Sequence, residues 1–281
     1  MHAVTRFAPS PTGRLHLGHA YSALLARDFA RAEGGAFLLR IEDIDPGRAR
    51  SEFVDGIFED LLWLGLEWDG ELLYQSERLP LYAEALERLK GEGLIYPCTC
   101  TRAEIAAEIA ASASAPQGPD GAIYPGTCRG AGDTGKPHCW RLDVAKAAAR
   151  AGPLYWFDDH TEVQAEPTRF GDVVLARKDA PASYHLAVTL DDAAQGVTDI
   201  VRGRDLYAAT DLHRLLQALL DLPTPAYHHH DLIVDAAGAR LAKRHSAPTI
   251  AGLRGAGMDP AALVEAMRRG EFPAGYSLAR A

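Results

Sequence analysis

The sequence has no run of about 18 apolar residues and no basic start leading into an apolar stretch, so neither a membrane span nor a secretory leader is expected. Basic charge is in short supply: 29 Lys and Arg face 38 Asp and Glu, a formal net charge of −9 at pH 7. That balance excludes a protein that simply coats nucleic acid, and any RNA contact has to come from local basic patches. Cysteine is scarce as well, with four in 281 residues, all between 98 and 139. So few in so long a chain do not make a disulfide framework, and their crowding points to a metal or, failing that, to small buried side chains. No internal repeat is visible. With 47% apolar and 24% charged residues the composition is that of a globular, cytoplasmic protein large enough to bury a core.

What is present is an alternation of strand and helix patterns. Residues 3–8 read as a short buried strand, and Tyr21, Leu24, Leu25 and Phe29 then recur at helical spacing. Residues 36–43 read as a second strand, and 51–65 as a helix capped by Ser51 with Phe53, Ile57, Leu61 and Leu64 on one face. A third helix covers 77–93. This rhythm argues for a parallel sheet covered on both faces. It changes at Tyr96, where the cysteines, an alanine-rich segment (103–115) readable as helix or solvated linker, and a Gly/Pro-rich run (116–137) follow. Strand-like runs return at 171–177 and 183–192, then DIVRG (199–203), a leucine-rich helix (205–222), a strand (228–235) and two short helical patterns.

RFAPSPTGRLHLGHA, residues 6–20, carries the chemistry. A strand that passes through Pro/Gly turns into a helix sets a helix N-terminus at the carboxyl end of the sheet, where unpaired N–H groups and the dipole favour a phosphate. Gly13 and Gly18 allow close backbone approach, Gly18 at a point where a side chain would block an adenine or ribose. His16 and His19 put two imidazoles on one side of the first turn, suited to charge developing on a transferring phosphate oxygen. A lone histidine there would read as a cap or a crevice filler; the pair in this setting is far more specific.

H-L-G-H in that position resembles the HIGH signature of class I aminoacyl-tRNA synthetases and related nucleotidyltransferases. RFAPSPTG before it and LRIEDID (39–45) on the next strand look like the glutamyl branch, and RLAKR (240–244) occupies the place of that class's KMSKS loop, with Ala242 for the usual serine. The resemblance implies His16, His19 and Lys243 as catalytic residues, the same three with Gly18 around ATP, and an L-glutamate site lined by Arg6, Phe7, Ala8, Pro9, Ser10, Glu42, Tyr184 and Arg202. Residue chemistry agrees. Glutamate brings two carboxylates and an ammonium, which calls for guanidinium forks, here Arg6 and Arg202, and for a carboxylate, here Glu42.

Cys98 and Cys100 form a C-x-C pair that suits a turn around zinc and needs two further ligands. Cys128 is the natural third, and from the residues alone the fourth is Cys139 or His138. The glutamyl-Q tRNA(Asp) synthetases, short paralogues of the glutamyl enzymes, carry a C-x-C…Y-x-x-x-C zinc pattern; resemblance to them implies Cys98, Cys100, Tyr124 and Cys128, with Cys139 in reserve. HHHD (228–231) is a rival cluster, although alternation along a strand sends His229 to the opposite face from His228 and His230.

The sequence runs 37 residues past Arg244, where glutamyl-tRNA synthetases continue into a helical anticodon-binding domain, and Val188 stands where those enzymes commonly carry asparagine. The resemblance therefore implies an α/β Rossmann-type catalytic domain with a zinc-bearing insertion, a short helical C-terminal region and no anticodon-binding domain. Its expected parts are 1–95 and 181–235 as the two Rossmann halves, 96–180 as the insertion, and 236–281 as the KMSKS-like loop and tail. The implied activity is tRNA-independent activation of L-glutamate with Mg2+ and ATP, then transfer to the queuosine base at the wobble position of tRNA(Asp), by a monomer with one structural Zn2+. The rivals are a truncated glutamyl-tRNA synthetase charging a 3′ end, a non-catalytic tRNA- or amino-acid-binding module, and a small-molecule nucleotidyl transferase. Arg6, Glu42, Tyr184 and Arg202 together speak against the last.

Overall fold

A computed structural model describes residues 2–111, 116–132, 135–241 and 248–279. The chain opens with β1 (Val4–Phe7), α1 (Leu17–Ala32), β2 (Ala36–Ile41), α2 (Ser51–Trp63) and β3 (Leu73–Tyr74). It continues with α3 (Leu79–Gly91), β4 (Ile95–Cys98), α4 (Arg102–Ala111), the short β5 (Gln117–Gly118) and β6 (Gly121–Ala122), β7 (Cys139–Leu142) and α5 (Val144–Ala151). Next come β8 (Tyr155–Asp158), β9 (Thr161–Gln164), β10 (Val173–Ala176), α6 (Tyr184–Ala194), β11 (Asp199–Gly203) and α7 (Ala209–Leu219). The last elements are β12 (Ala226–His230), β13 (Leu232–Asp235), α8 (Ile250–Gly255), α9 (Pro260–Arg268) and β14 (Tyr276–Ala279). Among the described residues no helix is long and apolar enough to cross a membrane.

Contacts divide the chain into two compact units. The first comprises Met1–Glu77, Gly196–Tyr207 and Pro225–Ala281; the second comprises Arg78–Gln195 and Ala208–Thr224. In the first, β1 pairs in parallel with β2, β2 with β3, and β11 with β12. Thr198 N donates to Val4 O at 3.0 Å, which sets the start of β11 beside β1. Arg6 and Glu42 lie at the carboxyl ends of the parallel β1 and β2, and Arg202 lies near the carboxyl end of β11. Leu17, Ala20, Tyr21, Ala23, Leu24, Ala26 and Ala30 form the inward face of α1. Each large side chain so buried contributes roughly 1.5–3 kcal/mol. Close packing forces one glycine: a Cβ on Gly35, between α1 and β2, would lie 1.8 Å from Ala3 O. Arg254 on α8 meets Glu59 at 3.0 Å and Asp60 at 3.2 Å on α2. Burial pushes the Asp60 carboxyl up to about 6 against the opposing pull of Arg254 and Arg14.

The second unit holds a three-stranded antiparallel sheet with β7 between β4 and β10. Cys98 stands opposite Cys139 and Tyr96 opposite Arg141, so these four share one face of the β4/β7 pair.

The sequence pattern misplaced several features. Residues 183–192 are helix, not strand: Ser183 caps α6 through the Leu186 amide, and every position from Leu186 to Asp192 is buried. A helix buried nearly all round shows no polar stripe, which removes the periodic signal. The second unit, whose first residue is Arg78, includes α6 and α7, and Arg78 and Tyr82 both bond Asp191 on α6, at 3.4 and 2.7 Å. Arg50, not Ser51, is the N-cap of α2, and Asp231 splits the expected strand 228–235 into β12 and β13.

Candidate functional site

The His16/His19 pair builds the first turn of α1 from its own backbone. His16 is the N-cap, in extended conformation, and its Nδ1 accepts from Gly18 N at 3.1 Å; His19 Nδ1 accepts from His16 N at 3.2 Å. This is a capping box made of two imidazoles instead of a hydroxyl and a carboxylate. Since each Nδ1 is an acceptor, each neutral ring keeps its proton on Nε2 and presents a donor there. The ring centroids lie 3.7 Å apart. A Cβ on Gly18 would lie 3.1 Å from Cε1 of the His16 ring. Thr249 forms an isolated bridge to His16, and Ile250 N donates to Leu15 O at 2.9 Å, so the start of α8 is tied to the signature turn. Lys243, with Ala242 and Arg244, lies outside the described residues.

Arg6 and Arg202 are both 5% exposed. Arg202 Nε donates to His229 Nε2 at 3.1 Å, its Nη2 donates to Leu206 O at 3.1 Å, and its guanidinium lies 5.1 Å from the Tyr227 ring centre. Burial, then the adjacent Arg202 and Arg204, hold the His229 imidazole down at about 2, so it is a neutral acceptor for the arginine. His228 and His230 point the other way: His228 Nε2 pairs with Asp199 at 3.0 Å and His230 Nε2 with Ser22 Oγ at 2.8 Å. Alternation along β12 thus breaks up HHHD as a metal cluster. Glu42 follows β2, its N donates to Pro9 O at 3.0 Å, and its Oε1 is 3.5 Å from Nη2 of the fully buried Arg40. Phe7 and Pro9 are buried, Ala8 half-buried and Ser10 exposed. Tyr184 is the first residue of α6 and belongs to the second unit; its ring is 5.4 Å from His185 and 5.8 Å from His213. The pattern reading missed Arg40 and the pairing of His229 with Arg202; a polar side chain at a buried strand position was the available signal in both cases.

Within the second unit the structure gathers Cys98, Cys100 and Cys128, whose sulfurs all lie within 4.8 Å of one another. The Tyr124 oxygen is 3.4 Å from Cys98 Sγ and 3.6 Å from Cys100 Sγ, Cys100 and Cys128 are 3.4 Å apart, and Cys128 N donates to the Tyr124 oxygen at 2.9 Å. A tetrahedral zinc with sulfur at ~2.3 Å and oxygen at ~2.0 Å separates its ligands by roughly 3.5–3.8 Å. The four atoms fit. Cys139 is turned away, its thiol donating to Cys98 O at 3.4 Å, and His138 is exposed with Nδ1 on Lys136 O. Burial pushes the Cys100 thiol up to about 11. At Cys128 burial acts in the same sense, but hydrogen bonds from Tyr124, the Thr99 backbone and the other thiols outweigh it and bring the group down to about 6.

Residues 2–277 match the catalytic domain of the class I tRNA synthetases (E and Q). Glutamyl-Q tRNA(Asp) synthetase of Rhodobacter capsulatus is 52% identical over 276 residues, 92% of this chain and 97% of its own. The proteins of that name from Deinococcus radiodurans and Symbiobacterium thermophilum are 46% and 44% identical, over 91% and 92% of this chain and 84% and 83% of theirs. Two solved structures share the fold: the glutamate tRNA ligase of Elizabethkingia meningosepticum in complex with its amino acid (TM-score 0.76, 26% identity, 95% of this chain) and the glutamate-tRNA synthetase of Elizabethkingia anophelis (TM-score 0.77, 27% identity, 98%). The chain spans 60% and 63% of those two proteins. With its α/β catalytic domain and histidine box, the chain belongs to the glutamyl-Q tRNA(Asp) synthetases, ligase-type enzymes of the class I tRNA synthetase family.

Proposed function

We propose that the protein activates L-glutamate with Mg2+ and ATP, without tRNA, and passes the glutamyl group to the queuosine base at the wobble position of tRNA(Asp). The activation half rests on one observation: two imidazoles whose Nδ1 atoms are taken by backbone amides, so that two Nε2–H donors stand at the N-terminus of a long helix. A glutamate carboxylate oxygen attacks the α-phosphorus, the bond to the bridging oxygen breaks, and pyrophosphate leaves. Charge that builds on the phosphate oxygens meets His16, His19 and the helix terminus, and catalysis is positioning plus charge stabilisation with no side-chain nucleophile. Lys243 is assigned to the ATP phosphates by the resemblance of RLAKR to the KMSKS loop. Arg6 and Arg202 take the glutamate carboxylates and Glu42 takes the ammonium; Tyr184 is assigned to glutamate on the family resemblance alone. In the second step a nucleophile on the queuosine base attacks the adenylate carbonyl and AMP leaves.

The acceptor is supported by the relatives named for it, similar along 83% to 97% of their length. Offered labelled glutamate and ATP, the protein is expected to label an anticodon stem-loop of tRNA(Asp) that carries queuosine, not the same stem-loop without it, and not tRNA(Glu). Label on tRNA(Glu) with none on the stem-loop would establish a truncated glutamyl-tRNA synthetase instead.

We further propose that Cys98, Cys100, Tyr124 and Cys128 hold one structural Zn2+, which would cross-link the end of β4 to the segment between β6 and β7 without taking part in the reaction. Metal analysis should find about one zinc per chain, and Cys100→Ser should lower it. Unchanged zinc in that variant would refute the ligand set.

A further inference from the structure

Behind the cysteine cluster, on the same face of the β4/β7 pair, lies a buried arginine that neither reaction step uses. The guanidinium of Arg141 sits 3.9 Å from the centre of the Tyr124 ring. Its Nη1 donates to the Asp172 backbone carbonyl at 3.0 Å, while the Asp172 carboxylate is engaged by Tyr96, Arg129 and the Val144 amide. Arg141 Nε is buried and has no hydrogen-bond partner among the described residues. A guanidinium removed from water without a carboxylate partner is costly unless other negative charge compensates it. The ligand set supplies that charge: a dication surrounded by three thiolates and a phenolate leaves an anionic excess, and the phenolate ring faces the arginine.

We infer that Arg141 is the counter-cation of the metal centre and acts through the Tyr124 ring, making a phenol competitive as the fourth ligand where a thiolate would ordinarily be preferred. This rests on the zinc reading above. A planar cation stacked on the ring gains far more from a phenolate than from a neutral phenol, because a full charge joins the ring quadrupole. It also explains why Cys139, on the same face, is not needed: its sulfur is committed to Cys98 O, and Arg141 lies beyond it on the strand.

The test is a double-mutant cycle read as zinc affinity, by competition with a chromophoric chelator on the full chain, with thermal unfolding as a check on folding. Partners just outside a metal's ligands typically carry 10–100-fold in affinity, so Arg141→Met should weaken zinc by about tenfold or more. Arg141→Lys, which keeps the charge and a donor for Asp172 O, should fall between that variant and the wild type. In a Tyr124→Phe background the Arg141→Met change should have little further effect, because the group it acts through is gone. Wild-type affinity in Arg141→Met, or an equal loss with and without the Tyr124 oxygen, would overturn the inference while leaving the zinc site standing. A wild-type protein that binds no zinc would overturn both.

Discussion

His16→Asn is expected to lower glutamate-dependent ATP–pyrophosphate exchange by about 10²–10³-fold while leaving thermal unfolding close to that of the wild type, as removal of one preorganised donor at a developing oxyanion does. The choice of asparagine separates the two jobs of this residue. As the N-cap, His16 accepts from the Gly18 amide, and asparagine is among the best residues at such a position. Its side chain can take over that bond in the same extended backbone, so the helix start survives. What it cannot replace is the Nε2–H on the far side of the ring. His16→Ala removes both functions and should also cost about 1 kcal/mol of stability. If the donor acts on charge that exists only in the transition state, kcat and kcat/KM fall together and the KM for ATP moves little. Exchange within a few-fold of wild type in His16→Asn would reduce the residue to a helix cap and remove the observation on which the activation half rests.

That double use of the imidazoles explains how far the sequence could be read. The box is a local pattern, two residues one turn apart after a strand, and local patterns survive in one dimension. Its support is not local: Thr249 and Ile250 come from the other end of the chain to bond His16 and Leu15, and nothing in RFAPSPTGRLHLGHA announces them. The cysteine spacing was equally plain, yet the fourth ligand could not be chosen from composition. What bears on it is the antiparallel register, which sets Cys139 against Cys98 with its thiol on a carbonyl, while the Tyr124 oxygen lies beside the Cys98 and Cys100 sulfurs. In α6 the hydrophobic pattern itself misled, since the run around Val188 and Thr189 looks like a strand when a helix is buried on nearly every side. The Ser183 cap was the signal that should have outweighed it.

Arg202→Lys is expected to lower kcat/KM for glutamate by about 10²-fold or more, mostly through KM, in line with the 2–5 kcal/mol that follows loss of a buried hydrogen-bonded charge contact. The substitution keeps the charge, so a purely electrostatic role would tolerate it. The geometry does not allow that tolerance. Arg202 spends Nε on His229 and Nη2 on Leu206 O, and its plane lies over Tyr227. These contacts fix the orientation of the fork that is assigned to a glutamate carboxylate. An ammonium has no plane and no fork, and it cannot hold His229 and Leu206 O while it also reaches a ligand. His229, kept neutral by burial and by the arginine beside it, would lose its donor and add to the cost. Exchange measured with glutamine in place of glutamate then tells which carboxylate is held. If Arg202 holds the side-chain carboxylate, the variant loses discrimination between the two amino acids; if it holds the α-carboxylate, both fall alike. An unchanged KM for glutamate together with a lowered melting temperature would make Arg202 a strut between β11 and β12 and leave the carboxylates to Arg6.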